Sequence, residues 1–258
     1  MDAATAVWPR LNYQRTARRA MLRLLAFAAG PLPDIKIKPG EYGLPDGDHL
    51  AALTVTPHDD PAWLDQWRTG LWRTDAEHDL ADPGQLDAAG HCVSITADLP
   101  DPPDLGHLQA GWALAQALVD HGAFAVLDTY AGRWVDPVLL QTWPPERPFD
   151  LDEEVNVVLR TDGAGGFGHV LFTRGLAKFA RPDVVAVVRP GTARTVNRVV
   201  RQLAGMLVEG GTAIPGQRRG AGDPALGGAA AFRLAVYDPG VNAPDLPLHN
   251  EALLILPA

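Results

Sequence analysis

Apolar residues recur along the chain in short runs, and most of these runs alternate at the period of a strand rather than of a helix. The plainest unit starts with a β-run at Cys92 to Ala97. Asp104 then caps an apolar helix reaching His121, and a second β-run covers Ala123 to Asp128. This β–α–β pattern predicts a right-handed crossover whose helix covers the sheet with Leu108, Trp112, Ala115 and Val119. A second such pattern combines a strand at Val184 to Val188, a helix at Thr192 to Glu209 and a strand at Ala231 to Tyr237, with a last strand at Glu251 to Leu256. Between the two units, Val155 to Arg160 and His169 to Phe172 flank a glycine cluster and predict a hairpin.

The first half reads less regularly. A strand is expected at Leu50 to Thr56, followed by a helix opened by Asp59-Asp60-Pro61 and running to Trp72, with Trp63, Trp67 and Leu71 on its buried side. Residues 31 to 49 are dense in Pro, Gly and Asp and read as a connection with at most a short edge strand at Ile35 to Lys38. Upstream, Arg10, Arg15, Arg18, Arg19 and Arg23 mix with Leu11, Met21, Leu22, Leu25 and Phe27. With Pro9 at the first turn and Gly30 at the end, this predicts a basic amphipathic helix. The expected organisation is a basic helix and connection over 1–48, packed on one α+β domain over 49–258. That domain is expected to hold a mixed sheet with two β–α–β crossovers and helices largely on one face, compatible with a duplicated ferredoxin-like unit.

Composition narrows the class. The chain has 258 residues, 47% of them hydrophobic and 21% charged, which is ordinary for a folded domain of this size. Cys92 is the single cysteine, so an intramolecular disulfide is impossible and a reducing, cytoplasmic setting is expected. No apolar run reaches the roughly 20 residues that span a bilayer. Arg outnumbers Lys strongly, with Lys only at 36, 38 and 178, which fits a GC-rich bacterial coding sequence.

The catalytic motifs are weak. Gly163 to Gly168 spells G-x-G-x-x-G, but it leads into the β-like run His169 to Phe172 and not into the helix that a dinucleotide fingerprint requires. Ser94 is the only serine and lies inside an expected strand without a nucleophile elbow. Cys92 is flanked by His91, yet neighbouring strand residues point to opposite faces, so a buried structural thiol is expected. His107 and His121 would stand about 21 Å apart along one helix, too far to share a metal. Glu77, His78, Asp79 and Asp82, like His58, Asp59 and Asp60, read as solvated charge, and no cofactor or metal is expected.

Charge is more informative. Residues 160–219 carry ten Lys/Arg against three Asp/Glu, a net of +7, while the remainder carries −16 of the total −9. Arg194, Arg198 and Arg201 recur along one side of the second expected helix. A basic face on an acidic chain meets its own acidic segments such as Asp150 to Glu154, an anionic ligand, or a partner. Neither nucleic acid nor membrane is expected as partner, since the pI is about 5.3 and no aromatic residues interleave with these arginines.

Within this region, Thr173-Arg174-Gly175-Leu176-Ala177-Lys178-Phe179-Ala180-Arg181-Pro182-Asp183 resembles a segment of an uncharacterised bacterial domain-of-unknown-function family. It departs at Ala180, where that family has Gly. The resemblance would extend over Cys92 to Leu256; it implies an α+β fold and supplies no activity. Physically the segment reads as a strand end, a break at Gly175 and a tight turn anchored by Leu176 and Phe179. If Arg174, Lys178 and Arg181 converge outward, they form a carboxylate or phosphate clamp; otherwise Arg181 pairs with Asp183 and the turn is structural. The expected function is a non-enzymatic binding module that takes a protein partner or a second copy through this basic face, with Arg174, Lys178, Arg181, His169, Arg194 and Arg198 as binding residues. The alternative is an enzyme that clamps a small anion with Arg174, Lys178 and Arg181 and uses His169 or Asp128 as acid or base.

Overall fold

The segment Arg19–Ala28, expected as a basic helix, is a β-strand (β1). Its burial alternates from Arg19 to Leu24 and is then continuous to Ala28, as in a strand covered on both faces. The computed structural model describes residues 6–161, 168–189, 191–220, 231–242 and 244–257. It divides the chain into two compact units where the sequence suggested one domain.

The first unit comprises residues 1–9, 21–99 and 104–149 and is built on a five-stranded sheet ordered β2-β3-β1-β4-β5. Here β2 is Thr54–His58, β3 His91–Pro100, β4 Ala125–Asp128 and β5 Arg133–Val135. β1 pairs antiparallel with β4, Leu25 opposite Leu127 and Phe27 opposite Ala125. Both expected strands of the first crossover exist, but β1 lies between them, so they do not pair with each other. Helix α1 is Pro61–Arg68, with Asp60 accepting from the Ala62 N–H at 3.0 Å. Helix α2 is Gly70–Asp79 and the connecting helix α3 is Gly106–Asp120. Leu64 and Ala76 of α1 and α2 share one apolar cluster with Leu25, Phe27, Leu127 and Trp134, and Trp63, Trp67 and Trp72 pack against it. On the other face α3 comes so close that a Cβ at Gly111 would lie 2.5 Å from Leu22 Cδ2. Helices therefore cover both faces of this sheet, not largely one. The expected strand at Leu50 begins as a single 3-10 turn at Leu50–Ala52, and no strand forms at Ile35 to Lys38. Helix α4, Pro137–Thr142, packs against α3.

The second unit comprises residues 10–20, 100–103 and 150–258. After a short helix α5 (Leu151–Glu154), the strands are β6 Asn156–Arg160, β7 His169–Arg174 and β8 Asp183–Val188. Helix α6 (Ala193–Val208) leads to β9 Arg218–Arg219, β10 Phe232–Val236 and β11 Ala252–Pro257. The strand order is β6-β7-β8-β11-β10-β9. The expected hairpin is present as β6 and β7, with Val158 opposite Phe172. Among the described residues of this sheet only β8 and β11 pair in parallel, Val184 beside Leu253. The strand after α6 is thus not the parallel partner of β8, because β11 inserts between them. Val170, Phe172, Val185 and Leu254 form a cluster closed by Leu246, and α6 packs on β7 and β8 with Val200, Leu203, Ala204 and Leu207 fully buried.

The fold is α+β, with two sheets in place of one mixed sheet. Their strand orders differ, so a repeated ferredoxin-like unit is not recovered.

Candidate functional site

The segment 173–183 joins β7 to β8 through a tight turn, Leu176–Phe179, framed by two left-handed residues. Gly175 has φ 114, as the sequence suggests, and Ala180 has φ 54 and ψ 38. Ala180 therefore stands at a position where a Cβ is disfavoured.

The three cations do not converge outward. Lys178 is fully buried and its Nζ donates to Glu154 Oε2 at 2.5 Å. Arg181, 1% exposed, donates to Asp101 Oδ2 at 2.7 Å and to the carbonyls of Gln14, Gly210 and Gly211 at 2.8–2.9 Å. The other oxygen of Asp101 accepts from Arg10 at 2.7 Å, so one buried carboxylate binds two buried guanidinium groups. Arg10 also donates to Val208 O and Phe179 O. Three of these acceptors, on Val208, Gly210 and Gly211, lie at or just past the C-terminal end of α6, where the helix dipole favours positive charge. Arg174 is half-buried, and His169 is exposed at the opposite end of β7. Five residues apart on one strand, the two side chains point to opposite faces and stand about 17 Å apart along it. Asp128 is buried and accepts from the N–H groups of Tyr130 and Ala131, which makes it a turn residue. The expected anion clamp with its acid or base is therefore not assembled, and Arg181 pairs with Asp101 rather than Asp183.

Asp183 makes a different set of contacts. Its Oδ1 accepts from Thr173 Oγ1 at 2.9 Å and from the Leu176 N–H at 3.3 Å. Burial pushes its carboxyl up to about 7 despite these hydrogen bonds and the nearby Arg174. Asp101 goes the other way: burial raises it, but hydrogen bonds from Arg181, Arg10 and the Thr16 N–H outweigh burial, and its carboxyl falls below the ordinary range.

The rest of the basic region divides clearly. Arg201 pairs with Asp152, so the Asp150 to Glu154 segment neutralises two cations of the region. Arg189, Arg194 and Arg198 are exposed, and the hydrogen bonds and ion pairs among the described residues leave Arg194 and Arg198 without a partner. Residues 162–167, which hold most of the G-x-G-x-x-G letters, lie outside the described residues; Gly168 leads directly into β7 and not into a helix.

The structure also joins groups that the sequence kept apart. His58 Nε2 lies 2.9 Å from Ser94 Oγ, and the imidazole stacks on Trp63 at 3.7 Å. Burial and the nearby Arg23 lower the His58 pKa. Ser94 is 6% exposed and also donates to Thr56 O at 3.3 Å, so the pair ties β2 to β3 from within the sheet. Burial pushes the Cys92 thiol far up, as befits an inert core thiol. Asp79 accepts from the Trp134 N–H and Asp82 from the Gly84 N–H. Among the described residues no helix is long and apolar enough to cross a membrane.

No family model, curated protein or solved structure matches this chain.

Replacing Lys178 by Met takes the buried ammonium away from the buried Glu154 carboxylate, and should lower stability in denaturant unfolding by about 3–5 kcal/mol, whereas Lys178→Met with Glu154→Leu should recover most of the loss. Ala180→Gly should raise stability by about 0.5–1 kcal/mol in the same measurement, because relief of the left-handed Cβ strain exceeds the added chain entropy. The folded pKa of Asp183, about 7, lies above its ordinary 3.8, so the stability linked to its protonation is complete at low pH and is lost as pH rises through 7. Asp183→Asn removes that titration, so the midpoint of the wild type should fall relative to the variant across this window and run parallel to it at higher pH.

Proposed function

We propose that the protein is a non-enzymatic interaction module that docks an acidic protein surface on the exposed arginine row of α6. The observation that carries this reading is the sorting of the basic region: Lys178 and Arg181 are neutralised in the interior and Arg201 pairs with Asp152 at the surface, while Arg194 and Arg198 are exposed. One turn apart on α6, these two residues can engage neighbouring carboxylates together. The opposite side of the helix is committed to the core through Val199, Val200, Leu203 and Leu207, so the row is rigidly presented.

The first unit carries 19 Asp/Glu against 7 Lys/Arg, and the second 12 against 15. A second copy of the chain is therefore a partner of the required chemistry, and another acidic protein would meet the same surface. The single buried cysteine fits a cytoplasmic setting. Within this reading the motif-like 173–183 segment, and its resemblance to the bacterial domain-of-unknown-function family, concern the fold and not the contact surface.

Sedimentation velocity of the full chain tests the proposal. Association is expected at about 50 mM salt, weaker at about 300 mM, because screening acts on exposed charge. Arg194→Glu with Arg198→Glu should abolish it, while the double Lys variant should retain most of it. A monomer under all conditions rules out self-association, and a charge-reversed variant that keeps every partner of the wild type removes the arginine row from the docking surface.

A further inference from the structure

The second unit holds a groove of about 650 Å³ at the end of the sheet where β8 and β11 begin. Its size falls within the range of small-molecule sites. The wall is largely apolar: Ile214 and Val236 line it while 63% and 60% exposed, and Leu246 and Leu253 also line it. Tyr237 braces one side by donating to Pro244 O at 2.6 Å and accepting from the Leu246 N–H at 3.1 Å. Large aliphatic side chains this exposed in a concave, braced wall are costly to leave against water.

The polar end is cationic. A second cavity of about 460 Å³ shares Ala17, Arg18, Arg181, Asn250 and Glu251 with the groove. At this shared boundary Arg18 Nη2 donates to Glu251 Oε2 at 2.5 Å, with the two side chains 36% and 78% exposed. An ion pair this open to water holds together weakly, so another carboxylate can take the place of Glu251 at little cost. The Arg18 backbone is fixed: its carbonyl accepts from the Asp101 N–H at 3.2 Å, and its N–H donates to Thr16 Oγ1 at 3.3 Å. Behind it, the Arg10–Asp101–Arg181 group carries two formal positive charges against one negative, and Arg181 itself lines both cavities. The acidic groups Glu251 and Asp245 also face the groove, so an anionic head is favoured specifically at Arg18, where displacement of Glu251 restores the pairing.

We propose that this groove binds a small amphipathic carboxylate, with its apolar body between Ile214, Val236 and Leu253 and its carboxylate on Arg18 in place of Glu251. None of the α6 arginine row lines the groove, so this site does not depend on the docking proposed above.

Fluorescence titration of the full chain with anilinonaphthalene sulfonate, an amphipathic anion, tests the site, followed by displacement with octanoate or octylammonium. Saturable binding displaced by octanoate and not by octylammonium is expected. Arg18→Ala should weaken it about tenfold, through loss of the charge-assisted contact. Glu251→Gln should tighten it, and Val236→Asp should abolish it. Arg18 and Val236 are exposed enough for these variants to fold, which their melting curves check. Equal displacement by octylammonium overturns the proposal, as does unchanged affinity in both Arg18→Ala and Val236→Asp.

Discussion

The second unit is organised around one carboxylate. Asp101 holds Arg10 on one oxygen and Arg181 on the other, all three side chains almost wholly out of water. Burying such charges is expensive unless every donor is used. Here every guanidinium nitrogen has an acceptor: besides Asp101, the two groups reach carbonyls of Gln14, Pro102, Phe179, Ala180, Val208, Gly210 and Gly211, three of them at the end of α6 or just beyond it. Only a planar five-donor fork can reach so many acceptors at once, and lysine could not replace it. Three separated stretches of chain, 10–20, 100–103 and 179–181, are thereby held to one helix terminus.

That network changes the meaning of the basic segment. A run of cations around a tight turn suggests an anion clamp, yet burial turns Lys178 and Arg181 inward, onto Glu154 and Asp101. What reaches the surface is a smaller set on α6 and on the strap near Arg18. The two buried acids of the unit also oppose each other in pH dependence. Asp101 is held ionised by its arginines, so its contribution is lost on acidification, whereas Asp183 is held protonated by desolvation, so its contribution is lost as pH rises.

Much of the fold is visible in local pattern. The β6–β7 hairpin, the α3 and α6 helices and strands β3, β4, β8, β10 and β11 all lie close to where periodicity and capping place them. β1 was misleading because it is central: covered on both faces, its Leu24–Ala28 run shows no alternation, and Arg19 and Arg23, four apart, imitate a helical stripe. Pairing was equally hidden. Nothing near Val184 or Ala123 in sequence announces that β11 separates β8 from β10, or that β1 separates β3 from β4. Among candidate residues, the exposure of Arg194 and Arg198 followed from helical spacing, while the partners of Arg181 and Arg10 lie 80 and 91 residues away.

The sequence by itself determined the class of the fold, the position of most elements, the lone buried thiol and the excess of positive charge over 160–219. These follow from period, capping and composition, which are local properties. Tertiary structure alone decided which of those charges remain available. Two cations in one tight turn differ from two others on a helix only in what lies across from them, and that is set by chain segments far away in sequence. The same holds for Ala180, whose left-handed backbone is imposed by the turn that Lys178 and Arg181 anchor, not by any preference of alanine.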